Sequence, residues 1–344
     1  MKKVFVEECC DILDSMRIPI TASDRVAGPY PYYGANGIQD HVADYIFDDE
    51  LVLLAEDGGN FGSKERPIAY RVSGKCWVNN HAHILKPKEG LNVDYLCYSL
   101  MFYNTDGIVN GATRQKLTQS AMRKMTIPFI SYHEQLNVVK QLNTVKSIID
   151  MRKKQLQSLD ELIKARFVEM FGDPNLAYPK DGWQSIADIG TVVGGSTPKT
   201  DKSEYWDGKY RWLTPAEIVS GSGYIYDSVR KITKAGAESC SLQEMPIGTV
   251  ILSSRAPIGK IALAGNTFYC NQGFKNIICN DKINPVYLYS LLLFNTDYLN
   301  SLGRGATFKE ISKSIVENIK IPVPKIELQN QFADFVTQID KSKL

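Results

Sequence analysis

An internal duplication constrains the fold of this chain more than any other feature of its 344 residues. Residues 77–80 read Trp-Val-Asn-Asn and residues 269–272 read Tyr-Cys-Asn-Gln, so an aromatic residue, an apolar residue and two amides recur in order. The tripeptide Gly-Ala-Thr likewise occurs at 111–113 and at 305–307, and the same register continues downstream of both. Because the matches are collinear, they predict two copies of one structural unit.

The repeat period is too long for a solenoid, so each copy is a whole domain with an appendage. From Tyr132 to Met170 apolar side chains recur at alternating spacings of four and three without Gly or Pro. This pattern predicts a coiled-coil helix about 57 Å long, at about 1.5 Å per residue. Arg152 and Arg166 occupy two positions of the seam and need acidic partners if they are buried. The predicted seam residues are Val138, Leu142, Val145, Ile149, Arg152, Leu156, Leu159 and Ile163.

A second amphipathic helix is predicted after Pro324. Its apolar stripe consists of Leu328, Phe332, Phe335 and Ile339. The counterpart of Met170 in this copy would lie beyond Leu344, so we expect the second helix to be shortened. The predicted organisation is a first domain over 1–131, a first spacer helix over 132–171, a second domain over 172–325 and a shortened second spacer helix over 326–344.

Each globular half is predicted to be mixed α/β, because many short apolar stretches are broken by Gly, Pro and Asn. One helix is predicted inside each half, from Val93 to Tyr103 and from Pro285 to Asn295. After the Gly-Ala-Thr tripeptides, Thr118 and Ser312 are expected to cap short helices. An alternative is that the preceding threonines, Thr113 and Thr307, touch phosphates together with nearby basic residues.

Composition narrows the class of protein. Hydrophobic residues at 44% and charged residues at 23% argue against disorder. The sequence contains no run of about 18 apolar residues, which a membrane span would need. Glu7 and Glu8 interrupt the first apolar stretch, which argues against a secretory signal. Seven cysteines without a C-x-x-C pair predict reduced thiols in a cytoplasmic protein. The net charge of +2 neither establishes nor excludes a nucleic-acid partner.

The motifs of nucleotide-binding and metal-dependent enzymes are lacking. There is no G-x-G-x-x-G after a predicted strand and no Walker loop. Residues 284–287 read Asn-Pro-Val-Tyr, which lacks the second proline of the amino-methyltransferase motif Asn/Asp-Pro-Pro-aromatic. His81 and His83 have no Cys or His partner at metal-binding spacing. We therefore predict a non-catalytic chain that binds neither a cofactor nor a metal.

Two variable domains, each closed by Gly-Ala-Thr and a following Ile-x-Ile-Pro-like segment and each followed by an amphipathic helix, resemble type I restriction–modification specificity subunits. The resemblance is carried by residues 111–128 with Gln135 and by residues 305–324 with Gln329. Residues 32–37 are also typical of this family, as is the Gly-Gly-Ser-Thr-Pro-Lys sequence that opens the second half. The resemblance covers essentially the whole chain, and the duplicated order of the motifs is its most specific feature.

The resemblance implies an α+β fold class, in which two similar α/β target-recognition domains are joined and separated by long antiparallel coiled-coil helices as a pseudo-twofold internal repeat. Each domain would dock in the major groove of one half of a split double-stranded DNA target, and the helices would set the spacing. Modification (methyltransferase) subunits and a restriction (motor-nuclease) subunit would assemble on this scaffold. S-adenosylmethionine and ATP would bind those partners, because the specificity subunit performs no chemistry.

A reader of this kind needs phosphate contacts for position and base-edge contacts for sequence. In the first half the candidates are Tyr32, Tyr33, Asn36, Asn60, Lys64, Arg66, Asn79, Asn80 and His81. In the second half they are Ser196, Thr197, Lys199, Lys202, Arg211, Ser254, Arg255, Asn271, Gln272 and Lys275. The structural alternative is that Asn and Gly serve turn geometry and that Lys is simply solvated.

Two other functions remain open at this point. The chain is alternatively the detached recognition part of a methyltransferase–nuclease fusion, which makes the same DNA contacts. A third possibility is a scaffold whose globular halves bind protein and not DNA. Binding to duplex DNA that weakens steeply with salt separates the DNA readers from the protein scaffold.

Overall fold

The computed structural model of the chain describes residues 2–111, 114–173, 175–255, 257–305 and 309–343. These residues form two structural units, Met1–Met151 and Arg152–Leu344. The first unit contains β1 (Lys2–Phe5), α1 (Val6–Cys9), β2 (Cys10–Ile12), β3 (Ala27–Gly34), β4 (Gly37–Val42), β5 (Phe47–Ala55), β6 (Ala69–Val78), β7 (Ala82–Pro87), α2 (Val93–Met101), α3 (Gln119–Arg123) and β8 (Thr126–Phe129).

A six-stranded sheet in the order β2-β7-β5-β6-β3-β4 forms the centre of the first unit, and β1 pairs with β8 in a separate ribbon. Residues 51–55 of strand β5 are buried, and because side chains alternate along a strand they face both sides of the sheet. Val52 and Leu54 pack in the core that includes α2, whereas Leu51 and Leu53 pack in a second core on the opposite face. The apolar run in β5 therefore joins two cores.

Helix α4 (Tyr132–Phe171) follows β8, and its C-terminal half belongs to the second unit. That unit also contains β9 (Gln184–Ser185), α5 (Ile186–Ile189), β10 (Gly190–Gly194), β11 (Trp206–Leu213), β12 (Tyr224–Ile225), β13 (Arg230–Ile232), α6 (Lys234–Ser239), β14 (Val250–Leu252), β15 (Ile261–Ala264), β16 (Tyr269–Cys270), β17 (Lys275–Cys279), α7 (Pro285–Leu293), α8 (Thr296–Ser301), α9 (Lys313–Glu317), β18 (Lys320–Ile321) and α10 (Ile326–Lys343).

The second unit repeats the strand arrangement of the first, but its strands form two sheets in place of one and an additional segment is inserted. Its sheets have the orders β10-β17-β14-β15-β12 and β13-β11-β16, and β9 pairs with β18 as β1 pairs with β8. Strand β14 again separates two cores, because Val250 and Leu252 face one and Ile251 the other. Residues 214–229 add β12 at a sheet edge, where the first unit has only a two-residue turn between β3 and β4.

The predicted interior helices are present in both units. Helix α2 ends at Met101 and α7 ends at Leu293, in each case two residues before the predicted end. Thr118 and Ser312 cap α3 and α9, as predicted, through their side-chain oxygens. Helix α7 is apolar on nearly all sides because it packs between the sheet and helices α8 and α10.

The repeat extends to individual side-chain hydrogen bonds. Gln135, at the start of α4, is buried, and its Oε1 accepts from the backbone N–H of Asn92 at 2.8 Å. Its Nε2 donates to the carbonyls of Gly90 and Ile130 at 2.9 and 3.0 Å. Gln329, near the start of α10, makes the equivalent three bonds. Each glutamine therefore ties its helix to the loop before the interior helix of its own domain.

Replacing Gln329 by leucine is expected to destabilise the second unit by about 2–3 kcal/mol, because buried polar groups lose their partners. These partners are the N–H of Asn284 at 2.8 Å and the carbonyls of Lys282 and Pro324 at 3.1 and 2.7 Å. Urea unfolding with amide hydrogen exchange measures the loss in this unit. The matched change Gln331→Leu, at an exposed position of α10, should cost less than about 0.5 kcal/mol. Equal losses for the two variants would contradict the assignment.

Contacts within the second unit show how α10 packs on the C-terminal half of α4. Arg152 donates to the carbonyl of Lys343 at 2.7 Å, and the rings of Phe167 and Phe332 lie 5.2 Å apart. Residue numbers therefore rise along one helix as they fall along the other. Arg166 pairs with Glu169 of its own helix at 2.7 Å. Neither arginine is buried, so the condition under which an acidic partner was expected is not met.

Burial along the predicted seam is uneven. Among the seam residues of α4, Ile163 is buried, Val138, Arg152, Leu156 and Leu159 are half-buried, and Leu142, Val145 and Ile149 are exposed. In α10, Phe332 is buried, and Leu328, Phe335 and Ile339 are half-buried. The pattern did not identify Val139, Phe167 and Val336, which are buried because they face the domain cores.

Candidate nucleic-acid interface

In the first unit, the loops at one end of the six-stranded sheet meet around residues 110–117. Asn110 and Lys116 exchange backbone hydrogen bonds of 2.9 and 2.7 Å. The N–H of Leu117 donates to the carbonyl of Glu56 at 2.7 Å, directly after β5. Gly111 has a φ of +101°, and a Cβ there would lie 2.3 Å from the carbonyl oxygen of Arg114, so only glycine fits.

The described residues 304–305 and 309–311 of the second unit repeat these contacts. Arg304 and Glu310 exchange backbone hydrogen bonds of 3.1 and 3.0 Å, and the N–H of Ile311 donates to the carbonyl of Ser254 at 2.9 Å. Gly305 has a φ of +122°, in the same positive range as its counterpart Gly111, which favours glycine. We call residues 110–111 with 114–117, and residues 304–305 with 309–311, the closing loops. Thr113 and Thr307, the alternative phosphate contacts, lie outside the described residues.

Charged side chains surround the first closing loop. Asp57 Oδ1 lies 2.6 Å from His81 Nδ1 and 2.9 Å from Arg114 Nη2. Lys116 Nζ lies 3.1 Å from a carboxylate oxygen of Glu56. Because these contacts connect the end of β5 to the start of β7 and to the closing loop, they hold three loops together.

A buried ionic network lies beneath this surface. Asp14 accepts hydrogen bonds from His83 at 2.6 Å, from the N–H of Ile84 at 2.9 Å and from Gln119 at 2.9 Å. Burial raises the pKa of the Asp14 carboxyl, but the bonds from His83, Ile84 and Gln119 outweigh it, and the pKa is lowered. Asp14 is therefore held as a carboxylate.

The same network has the composition of a metal site. Ligand atoms of Asp14, Glu56 and His83 lie within 4.8 Å of one another. Arg17, however, contacts Asp14 at 3.5 Å and Glu56 at 2.5 Å, so its guanidinium already supplies positive charge to both carboxylates. Arg17 also donates to the carbonyl of Ala82 at 2.9 Å. We assign the network a structural role in holding the loops.

The second closing loop has an ion pair of its own. Arg255 Nε lies 3.1 Å from Glu310 Oε2, and Lys275 Nζ lies 3.4 Å from Glu310 Oε1. Lys275 also lies 3.4 Å from the hydroxyl of Ser254. Glu310 therefore connects the end of β14, the start of β17 and the closing loop.

The sequence-predicted residues of the first unit fall into two groups. Asn36, Lys64, Arg66 and Asn80 are exposed, and Tyr33, Asn60 and His81 are half-buried. Tyr32 and Asn79 are buried, which corrects their assignment as DNA contacts. Tyr32 hydrogen-bonds through its hydroxyl to Ile20 at 3.1 Å, and Asn79 accepts from the N–H of His81 at 2.8 Å. Both side chains therefore serve the fold.

Among the side chains that are not buried, Asn36 reaches the neighbourhood of the closing loop, because its Nδ2 donates to the carbonyl of Gly58 at 3.0 Å. Asn60 instead bonds locally, donating to the carbonyl of Pro67 at 3.4 Å. The structure therefore brings Asn36, His81 and the charged residues of the closing loop to one end of the sheet.

In the second unit Lys199, Lys202, Arg255 and Gln272 are exposed, and Ser196, Thr197, Arg211, Asn271 and Lys275 are half-buried. Thr197 donates to Gln272 Oε1 at 2.6 Å, which joins the entry segment to the β16–β17 turn. Arg211 pairs with Asp227 at 3.1 Å. Ser254 is fully buried, so its assignment as a DNA contact is corrected to a structural one.

Sequence reasoning missed Asp57 and Glu310, because the signal that matches their positions lies in the backbone pairing. Asp57 forms an isolated backbone bridge with Lys116, and Arg255 forms the equivalent bridge with Glu310. Asp57 and Arg255 occupy equivalent positions, and so do Lys116 and Glu310. The acidic and the basic side chain are therefore exchanged between the two copies. The pairing was visible only after the short strands had been aligned, because the two copies differ in loop length before the closing loops.

None of the described helices combines the length and the apolar composition needed to cross a lipid bilayer.

The family model for the type I restriction modification DNA specificity domain matches residues 1–161 and again residues 180–344. The type I restriction enzyme MjaIX specificity subunit of Methanocaldococcus jannaschii is 40% identical over 186 residues, which cover 52% of this chain and 43% of that relative. The type I restriction enzyme EcoR124I/EcoR124II specificity subunit of Escherichia coli is 24% identical over 315 residues, covering 86% and 72% respectively. The alignment with the MjaIX subunit thus spans less than half of that relative's length.

Similarity of fold extends to a solved structure. The crystal structure of the S subunit of a type I restriction–modification system from M. genitalium matches 99% of this chain and 90% of its own chain, with a TM-score of 0.60 and 14% identity. The match therefore covers both copies of the repeat.

Proposed function

The chain belongs to the type I restriction modification DNA specificity domain family, and we propose that it is the non-catalytic subunit that reads a split target on double-stranded DNA. The observation that carries this proposal is the duplicated closing loop with its charged residues, because two similar sites with unlike side chains suit two unlike half-sites. The basic side chains around each loop supply hydrogen-bond donors to DNA phosphates and to the edges of the nucleobases. The carboxylates supply acceptors.

The spacer and partner surfaces extend the same proposal. Helices α4 and α10 form an antiparallel coiled-coil spacer between the two reading domains. The exposed apolar residues of α4, Leu142, Val145 and Ile149, support its role in docking a methyltransferase subunit, since exposed seam residues need a covering helix. A motor-nuclease subunit completes the complex. S-adenosylmethionine and ATP bind to those partners.

The experiment that tests the function is mapping of adenine methylation in cells that express the chain with its methyltransferase subunit. We expect a motif of two short half-sites separated by a fixed number of unspecified base pairs. Methylation of one continuous short site would refute the two-reader proposal. Complete independence of methylation from this chain would refute a role in DNA recognition.

Salt dependence gives a second expected result. The affinity of the chain, in complex with its methyltransferase subunit, for duplex DNA should fall about 10³-fold or more between about 50 and 200 mM salt. The reason is that phosphate contacts release counterions. The change Lys199→Gln, at an exposed position of the second unit, should weaken binding to all sequences alike and reduce the salt slope by about one. Fluorescence anisotropy over a salt series measures both quantities. Affinity independent of salt would favour the protein-scaffold alternative.

A further inference from the structure

Each closing loop carries an Arg–carboxylate pair, although the two pairs are not built from equivalent positions, because the counterpart of Glu310 is Lys116 and not Arg114. In the first unit the carboxylate, Asp57, follows β5 and the guanidinium, Arg114, lies on the closing loop, with 2.9 Å between them. In the second unit the guanidinium, Arg255, follows β14 and the carboxylate, Glu310, lies on the closing loop, at 3.1 Å. The residues differ at each position, so the shared property is the Arg–carboxylate pair itself.

Both pairs are open to solvent. The side chains of Arg114 and Arg255 are 62% and 48% exposed, and those of Asp57 and Glu310 are 20% and 37% exposed. An ion pair this exposed contributes little to stability, because water screens the attraction and both side chains lose freedom. Stabilisation of the fold is therefore a weak explanation for an Arg–carboxylate pair at the closing loop of both units.

Each arginine keeps donors that the pair does not use. Arg255 contacts Glu310 through Nε, which leaves both terminal nitrogens as a fork for another acceptor. Arg114 contacts Asp57 through Nη2, which leaves Nε, Nη1 and the second hydrogen of Nη2, and a fork on another acceptor pair would use Nη1 with that hydrogen. The contacts that Asp57 makes with described residues end on Oδ1, so Oδ2 remains as an acceptor. The Arg114–Asp57 pair thus presents donors beside a free acceptor oxygen. Both oxygens of Glu310 already contact a cation, Arg255 at 3.1 Å and Lys275 at 3.4 Å, so a further donor would share an oxygen that keeps a second lone pair.

That arrangement matches one base pair in the major groove. Guanine offers two neighbouring acceptors, N7 and O6, which suit the guanidinium fork, and the paired cytosine offers the N4 amino group, which suits a carboxylate. Adenine places a donor beside its N7 and so opposes the second donor of the fork. A phosphate is also a poor match, because the carboxylate next to each arginine repels it.

We propose that Arg114–Asp57 and Arg255–Glu310 each read one G·C base pair, the arginine binding guanine and the carboxylate binding cytosine N4. This inference rests on the proposed function, since it names the bases recognised at those sites. Asp57 and Glu310 have a double role, because they also hold the arginine side chains in position.

The test uses the complex of the chain with its methyltransferase subunit and a plasmid library in which each base pair of both half-sites is varied in turn. Adenine methylation of each plasmid is the readout. Arg255→Gln and Glu310→Gln should relax preference at the same single G·C position of one half-site by about 10- to 100-fold. Arg114→Gln and Asp57→Asn should do so at one G·C position of the other half-site.

Two exposed ion pairs outside the closing loops provide matched controls. Lys86→Gln breaks the contact with Asp49 at 2.6 Å, and Lys234→Gln breaks the contact with Glu238 at 3.6 Å. Neither should alter the preference at any position. A variant that merely unfolds lowers methylation of every plasmid, so relaxation at one position is specific to base reading.

Three outcomes overturn the inference while leaving DNA recognition intact. These are a uniform loss at all sequences in a variant whose urea unfolding matches that of wild type, relaxation at an A·T position, and a wild-type half-site without a G·C pair. If the wild-type complex shows no split motif at all, the proposed function fails first and this inference falls with it. The two failures are therefore distinguishable in one data set.

Discussion

The change Phe167→Ala should destabilise the second unit by about 4 kcal/mol, since removing a buried phenylalanine side chain typically costs about 3–5 kcal/mol. The Phe167 ring is completely buried, and its centroid lies 4.9–5.4 Å from those of Phe171, Tyr287, Phe294 and Phe332. The ring belongs to α4, and its partners include residues of α7 and α10. A cavity here therefore loosens the spacer helix and the domain together.

Amide hydrogen exchange in a urea series measures this loss, because it reports peptides of α7 and α10 separately from those of the first unit. The neighbouring change Val168→Ala, at an exposed position of the same helix, is the control and should cost less than about 1 kcal/mol. A loss below about 1 kcal/mol for Phe167→Ala would show that this aromatic cluster does not hold the unit together. Stability of the first unit should be the same in both variants.

The change Asp14→Ala should destabilise the first unit by about 3–5 kcal/mol, because removing one member of a buried ionic network leaves the others unpaired. His83, Gln119, Arg17 and the N–H of Ile84 all lose their contact with this carboxylate. The exposed Asp11, on β2, provides the matched control, and Asp11→Ala should change stability by less than about 0.5 kcal/mol.

The effect of Asp14 depends on pH in a defined direction. Its folded-state pKa lies below the ordinary value of 3.8, so the unfolded chain takes up a proton before the folded chain does. The stabilisation is therefore complete above about pH 5 and is lost as the pH falls through 3.8 toward the folded-state pKa. Stability curves of wild type and Asp14→Ala between about pH 3 and 7 should converge at the acidic end. A constant difference over that range would contradict the carboxylate assignment.

The repeat and the helices were predictable from the sequence because they depend on local patterns. The absence of Gly and Pro and the spacing of apolar residues predicted a long helix, and α4 runs from Tyr132 to Phe171. The ends of α2 and α7 were displaced by two residues, because Phe102 and Phe294 take the capping positions. The predicted domain boundaries and the DNA contacts other than the buried side chains stay predictions.

The candidate interface was less predictable, because burial depends on contacts distant in sequence. Tyr32 and Asn79 are polar-tipped residues near turns, which favours surface contacts, yet the fold buries both. Asp14 and His83 lie far apart along the chain. They meet because β7, which carries His83, pairs with β2, and Asp14 lies in the loop that follows β2. A pattern of residue types along the chain does not predict a tertiary contact of this kind.

The amino-acid sequence by itself determined that one unit is present twice, that a continuous helix follows the first copy, and that the loops of the two copies carry unlike side chains. These properties depend on residue order and on short-range periodicity. Only the tertiary structure decided that an acid and a base exchange places around the closing loops and that Arg17 lies between a buried carboxylate, Asp14, and a half-buried one, Glu56. Ion pairs form where folding brings charges within about 4 Å, and that distance is independent of their separation along the chain.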